Sequence, residues 1–375
     1  MLVLLVALTL VLAYANGAND VSKGIATLVG SGVSDYRRAV GWGTLWTMAG
    51  GVCAMLITTG LIATFSGKGL LEGPDPGPGF LVAVACGAIG WLAIATWTGL
   101  PVSTTHALVG GLAGAGIAAV GVDGVLWGAV GRKAALPLAL SPLISLALMA
   151  LIFPLIRLAY RRFEGYCVCL ERQELAPAFA PALATGAGTI PAALSGVGSG
   201  GGGAERLHLI AGAGADCPPQ VVSRVQVLDS LHWLSSGCTS FFRGLNDTPK
   251  VLALGVAAAA AGGLPREACY VLVAFAMGAG SYIAGARVTG TLAGKVTPMT
   301  PGEGFSANLV TSVLVASAST FGLPVSTTHV STTAIIGIGL HGKAMRWRTV
   351  RDLLLGWVVT LPVAGALAYL VYRFI

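Results

Sequence analysis

Charge is what this chain has least of. Of its 375 residues, 22 are Lys or Arg and 15 are Asp or Glu, so charged side chains make up 10%. A soluble domain carries about a quarter, and so few charges cannot wet a globular surface of this size. Hydrophobic residues make up 55%, and the mean hydropathy is +0.81. This excludes a water-soluble globular protein and points to an integral membrane protein solvated mostly by lipid. One bundle then absorbs the whole length, and the length alone does not require two or three domains. The net charge of +7 reads as cytoplasmic loops under the positive-inside rule, with no nucleic acid as partner. The seven Cys (Cys53, Cys86, Cys167, Cys169, Cys217, Cys238 and Cys269) have no zinc-site spacing and read as small buried apolar residues. The first apolar run lacks the basic start and cleavage site of a signal peptide, so it reads as the first span. Glycine, by contrast, is abundant at 54 residues, which suits close helix packing in a membrane.

What is present is repeated. The string Gly-Leu-Pro-Val-Ser-Thr-Thr-His occurs at Gly99 to His106 and again at Gly322 to His329, an offset of 223 residues. Asn19-Asp20-Val21-Ser22-Lys23 is echoed by Asn246-Asp247-Thr248-Pro249-Lys250, an offset of 227. Order and spacing are preserved, as an internal duplication requires. Long apolar runs fall near 1–31, 40–65, 80–98, 101–121 and 134–160, and again near 230–262, 268–290, 304–321, 324–341 and 350–373. The halves are thus 1–160 and 227–375. The Gly/Ala/Pro-rich stretch 161–226 between them, with its glycine-rich segment Gly198 to Gly203, is expected to be a cytoplasmic loop or partly disordered.

Only Gly-Leu-Pro joins the third and fourth runs of each half, too little for an external loop between two full spans. A re-entrant hairpin of short helices with its tip near the midplane is expected, its irregular backbone facing protein or a water-filled cavity. If the first run crosses inward, then Arg37, Arg38, Arg157, Arg161, Arg162, Arg287, Lys295, Lys343, Arg346, Arg348 and Arg351 fall inside. Lys68, Glu72, Asp75, Asp123, Arg132, Lys133, Arg266 and Glu267 are left outside, near balance. Both termini are then extracytoplasmic. Three crossings per half make the repeats inverted. The expected fold is an all-α integral membrane protein of two inverted repeats, each with a discontinuous first helix and a re-entrant hairpin, about 10–12 membrane segments in all.

The motifs dictate chemistry. In Pro101-Val102-Ser103-Thr104-Thr105-His106, Pro suits a first helical position and Ser or Thr a cap. The helix that follows aims its N-terminus, with free N–H groups and positive dipole end, at the membrane interior. Ser103, Thr104 and Thr105, with Ser326, Thr327 and Thr328 of the second copy, would grip a tetrahedral oxyanion from two sides. Asn19, Asp20, Asn246 and Asp247 lie inside apolar runs, where a carboxylate is expensive and points to function. Their oxygens suit Na⁺ or a transferable proton. Gly17, Gly244 and Pro249 argue for a broken helix there. Lys23 and Lys250, three residues after each Asp, neutralise it or help hold the anion. His106 and His329 read as packed hydrogen-bond donors and Arg243 as a cytoplasmic helix end. Glu303 reads as a loop residue, and Ser306, Asn308, Thr311 and Ser312 as a cavity-lining stripe. Trp42, Trp46 and Trp357 read as interface anchors.

Gly17-Ala18-Asn19-Asp20-Val21 and Gly244-Leu245-Asn246-Asp247, with the two Pro-Val-Ser-Thr-Thr-His tips, resemble the inorganic phosphate transporter (PiT) family. The resemblance covers both halves but not 161–226. It implies inverted repeats with two hairpins, phosphate uptake coupled to Na⁺ or H⁺, no organic cofactor, no enzymatic activity and a homodimer in the cell membrane. It also implies Asn19, Asp20, Asn246 and Asp247 as cation ligands and the six hydroxyls as phosphate ligands. The chain departs from the family at Ser22-Lys23 and Thr248-Pro249-Lys250, where small residues are usual. An added cation beside each Asp bears on Na⁺ coupling and on the choice of phosphate over sulfate. An intramembrane aspartyl protease using Asp20 and Asp247 leaves the duplicated hydroxyl tips unexplained, and a passive anion channel is the third alternative.

Overall fold

The computed structural model describes residues 1–57, 60–72, 77–162, 164–174, 205–213, 221–342 and 344–375. It forms two compact units, Met1–Tyr160 with Leu231–Ile375, and Arg161–Ser230. The first half contributes α1 (Leu2–Asp20), α2 (Ser22–Gly30), α3 (Tyr36–Ile57), α4 (Gly60–Phe65), α5 (Pro78–Thr98), α6 (Thr104–Val120), α7 (Trp127–Val130) and α8 (Leu136–Tyr160). A π-helical turn, Gly131–Ala135, leads into α8. Three strands follow, β1 (Tyr166–Glu174), β2 (Glu205–Ala213) and β3 (Val221–Gln226). The second half contributes α9 (Val227–Ala261), α10 (Arg266–Ala284), α11 (Ala286–Gly294), α12 (Pro301–Thr320), α13 (Thr327–Gly342) and α14 (Trp347–Phe374).

Among the described residues, six helical stretches are long and apolar enough to cross a membrane: Leu2–Gly30, Tyr36–Ile57, Pro78–Thr98, Trp127–Tyr160, Arg266–Ala284 and Trp347–Phe374. Two expectations need correction. First, the interrupted helix occurs only in the first half. There α1 gives way to α2 at Val21, whose N–H reaches the Gly17 carbonyl at 3.1 Å, while Gly24 N–H reaches back only three residues to Val21 at 3.2 Å. In the second half α9 runs unbroken through Asn246-Asp247 with Pro249 inside it. Pro249 has no N–H to donate, so the Leu245 carbonyl is freed without a break in the helix. Second, α5 and α12, at 21 and 20 residues, are as long as a span rather than half of one.

Where it is described, the unit Arg161–Ser230 also forms strands rather than loop. Its strands pair antiparallel in the order β2-β1-β3, Tyr166 facing Ala213 and Cys167 facing Gln226. Val168, Val221, Val222 and Val225 supply the β-branched residues that favour strands, a local signal the glycine-rich composition outweighs. The glycine-rich segment Gly198 to Gly203 lies outside the described residues, as do Asp75 and Lys343.

The helical unit interleaves its halves. α14 packs on α5 and α6, while α8 packs on α12 and α13, so the last helix of each half covers the hairpin of the other. α1 crosses α10 with glycine at the contact. A Cβ on Gly17 would lie 1.9 Å from the Met277 carbonyl oxygen, and one on Gly280 would lie 1.9 Å from that of Tyr14. The same contact recurs between α3 and α9, where Gly50 meets the Phe241 carbonyl and Gly244 that of Thr47. Small residues at a crossing let backbones touch, which is how helices associate where lipid is as apolar as their side chains. The main apolar core runs from Leu12 on α1 through α5, α6, α9 and α10 to Ala368 on α14.

Candidate functional site

Each hairpin tip is built the same way. After α5, Gly99 takes φ +75°, and the Leu100 N–H returns to the Ala95 carbonyl at 2.8 Å. After α12, Gly322 takes φ +64°, and the Leu323 N–H returns to Ala318 at 2.9 Å. These are helix ends of the Schellman type, which need a left-handed residue that glycine supplies. Proline then forbids resumption of the first helix, and serine caps the second. The Ser103 hydroxyl accepts from the His106 N–H at 3.1 Å, and the Ser326 hydroxyl from the His329 N–H at 3.2 Å. The N-termini of α6 and α13 are thereby fixed, with their unpaired N–H groups and positive dipole ends.

The two tips meet. Thr105 donates its hydroxyl to the Val325 carbonyl at 3.3 Å, and Thr328 donates its own to Val102 at 2.8 Å. The rings of His106 and His329 lie 4.3 Å apart between centroids, and His106 Nδ1 also lies 3.0 Å from the Ser103 hydroxyl. Ser103, Thr104, Thr105, Ser326, Thr327 and Thr328 are all buried.

Each Asn anchors the tip of its own half. Asn19 accepts from the Val102 N–H at 3.1 Å and donates to the Leu100 carbonyl at 2.9 Å and the Thr96 hydroxyl at 3.2 Å. Asn246 accepts from the Ser319 hydroxyl at 3.3 Å and donates to the Val325 carbonyl at 3.3 Å. Each Asp holds a buried lysine. Lys23 pairs with Asp20 and also donates to the carbonyl and the side-chain oxygen of Asn19, both at 3.1 Å. Lys250 pairs with Asp247 at 3.1 Å and donates to Thr105 of the other tip at 2.9 Å and to Val325 at 2.8 Å. The expected Asn, Asp, Lys, Ser and Thr residues therefore converge in one buried cluster.

The motifs place neither of two further members in the site. Asn16 donates to Asp20 at 3.0 Å, to Thr104 at 2.9 Å and to Asp247 at 3.5 Å, and so ties the two carboxylates together. Arg243 is 1% exposed rather than at a helix end. It donates to Thr47 at 2.6 Å and to Ser281 at 3.4 Å. Its Nε and Nη1 are buried and, among the described residues, have no partner. Both residues stand three before their Asn-Asp pair, which is the signal that could have found them.

Other expectations shift as well. Trp357 is 8% exposed and lies on His329, centroids 4.0 Å apart, so it supports a tip rather than a membrane interface. Trp42 donates to the Trp233 carbonyl at 3.0 Å and meets Trp46 and Trp233 edge to face. Glu303 is helical, closing a capping box with Thr300 at the start of α12. Ser306 and Thr311 bond back to the carbonyls of Gly302 and Ala307 on α12 itself, so they satisfy that helix rather than offer free hydroxyls.

A model of the phosphate transporter family matches residues 16–368. The chain belongs to the phosphate transporter family. It is 31% identical to the chloroplastic inorganic phosphate transporter 2-1 of Arabidopsis thaliana over 95% of this chain and 69% of that one. It is 29% identical to a protein of Rhizobium meliloti named "Probable low-affinity inorganic phosphate transporter", over 99% and 96%. A solved structure named "The sodium-dependent phosphate transporter" shares the fold, with a TM-score of 0.74 at 22% identity over 100% of this chain and 98% of that one. This family member is thus a multi-pass membrane protein, and its relatives are named as transporters.

Proposed function

We propose that the chain is a symporter of inorganic phosphate coupled to Na⁺ or H⁺, working by alternating access between inverted repeats. The observation that carries this is the meeting of two capped helix N-termini, each lined by Ser-Thr-Thr, in a buried core that holds paired carboxylates. Phosphate would take its hydrogen bonds from the N–H groups and hydroxyls of Ser103, Thr104, Thr105, Ser326, Thr327 and Thr328, with Lys23 and Lys250 adding charge. Asn19, Asp20, Asn246 and Asp247 would bind the coupling cation. Because Asn19 and Asn246 also anchor the tips, binding there would order the anion site, and each ligand would tighten the other by the same factor. The contacts α1–α10 and α3–α9, each repeating the other, support two halves that rock as equivalent bodies. The Lys and Arg pattern supports extracytoplasmic termini in a plasma or inner membrane, with 161–226 as the cytoplasmic connection. A homodimer is the expected assembly.

The relatives named as phosphate transporters support phosphate as the substrate. Sulfate is the second reading, because hydroxyls and N–H groups arranged for a tetrahedral oxyanion do not distinguish phosphorus from sulfur. The protease reading is set aside: each carboxylate holds a lysine and the Asn16 amide bridges the two, so they are not bonded directly as a dyad sharing a proton. Uptake of labelled phosphate into proteoliposomes, with Na⁺ and pH gradients varied independently and sulfate as competitor, is the test. Accumulation against the phosphate gradient, driven by either cation, is expected. Equilibration without accumulation would make the protein a channel.

A further inference from the structure

Both lysines end in clusters of oxygen. Lys23 Nζ faces the Asn19 carbonyl, Asn19 Oδ1 and Asp20 Oδ1. Lys250 Nζ faces the Val325 carbonyl, Thr105 Oγ1 and Asp247 Oδ1 at 2.8, 2.9 and 3.1 Å. Backbone carbonyl, amide or hydroxyl oxygen and carboxylate are the ligands a hard cation takes. Three oxygens also match the three donors of an ammonium, which is itself a compact point charge. A metal ion of like charge could enter either cluster only by expelling the lysine into an apolar bundle.

The charge balance is an independent observation. Among the described residues, the buried Asp, Glu, Lys and Arg side chains are Asp20, Lys23, Arg243, Asp247 and Lys250. Three cations thus oppose two carboxylates, and the core is positive before any ion arrives. Among the described residues Arg243 is bonded to neither Asp, and two of its nitrogens lack hydrogen-bond partners. A buried charge that no carboxylate bonds directly is costly, and the surplus of three cations over two carboxylates favours an anion.

We propose that Lys23 and Lys250 are tethered cations that occupy the sodium positions permanently, so that the anion is bound and carried without Na⁺. This rests on the reading of the chain as a phosphate transporter, and of the two coupling ions it leaves the proton. Each lysine neutralises its Asp from within the chain, and Arg243 supplies the surplus charge that the anion meets.

The test compares the purified full chain with Lys23→Asn, Lys250→Asn and the double variant. Thermal unfolding is followed in about 150 mM sodium chloride and in the same concentration of choline chloride, since a ligand that binds the native state raises its melting temperature. The wild type is expected to melt at the same temperature in both. The variants, with the ammonium removed and the oxygens kept, are expected to gain several degrees from Na⁺. If the double variant does not fold, the single variants carry the comparison, and the wild-type comparison stands alone. Stabilisation of the wild type by Na⁺, or Na⁺-driven phosphate uptake in proteoliposomes, would overturn the proposal and leave the transporter reading intact. A Na⁺-indifferent wild type with Na⁺-responsive variants, but with no phosphate uptake under any gradient, would uphold the tethered cations and sink the transporter reading instead.

Discussion

Thr328 donates its hydroxyl to the carbonyl of Val102, 2.8 Å away and 226 positions earlier in the chain. The equivalent bond from Thr105 to Val325 closes the junction from the other side. These bonds satisfy backbone carbonyls that the hairpin turns leave outside any helix. Thr328→Val keeps the shape and removes the donor, so Val102 is left with a buried unmet acceptor. The expected cost is about 1–3 kcal/mol of stability, and phosphate uptake should fall roughly tenfold, because the tips no longer hold their spacing. Thr98→Val is the control: Thr98 is exposed and its hydroxyl bonds its own helix at Ile94. Uptake by the Thr328 variant equal to that of the Thr98 variant would remove the tip contact from the mechanism.

The buried pair Asp247–Lys250 makes a prediction of sign. Asp247→Asn leaves the ammonium unpaired in the core, which typically costs about 3–5 kcal/mol. Adding Lys250→Met removes that charge, so the double variant should be more stable than Asp247→Asn alone. Both variants should lose phosphate uptake. Thermal unfolding of the two single variants and the double variant measures the coupling, which should exceed about 1 kcal/mol for residues in direct contact. Additive losses would mean that the pair is not coupled.

Much of this site was legible because it was written twice. Ser103, Thr104 and Thr105 have identical counterparts in the second half, as do Asn19, Asp20 and Lys23, and a capped helix start after a proline is a local signal. Asn16 and Arg243 occupy matched positions but have diverged, so identity alone could not flag them. Trp357 reaches His329 only through the packing of α14, and no spacing in the chain encodes that contact. The continuity of α9 was hidden for a different reason. Pro249 is a breaker by propensity, yet a long membrane helix tolerates one missing hydrogen bond where neighbouring helices pack around it.

The glycine crossings predict opposite outcomes for the same substitution on one helix. A Cβ at Gly50 on α3 would sit 1.9 Å from the backbone oxygen of Phe241, which cannot rotate away. Gly50→Ala should therefore force α3 and α9 apart and cost about 1–3 kcal/mol or more. Gly41 on the same helix meets nothing within 4 Å. Gly41→Ala should be neutral or gain up to about 1 kcal/mol through helix propensity. Thermal unfolding of both proteins decides, and equal effects would mean that the crossing is not set by backbone contact.

Arg243 separates stability from transport. Its guanidinium is buried, bonded only to the hydroxyls of Thr47 and Ser281 among the described residues, and held by no carboxylate. Such a group destabilises the resting protein, because a desolvated charge that no carboxylate bonds directly is costly. Ser281 retains bonds to the carbonyls of Gly17 and Met277 once the arginine is gone. Arg243→Met should therefore raise the melting temperature, with a gain of about 1–3 kcal/mol. Phosphate uptake should move the other way, with an apparent KM higher by roughly tenfold, since the positive surplus that favours the anion has been removed. Arg243→Lys keeps the charge and should recover most of the affinity without the stability gain. A methionine variant that unfolds more easily and transports normally would identify Arg243 as a packing residue with no part in anion binding.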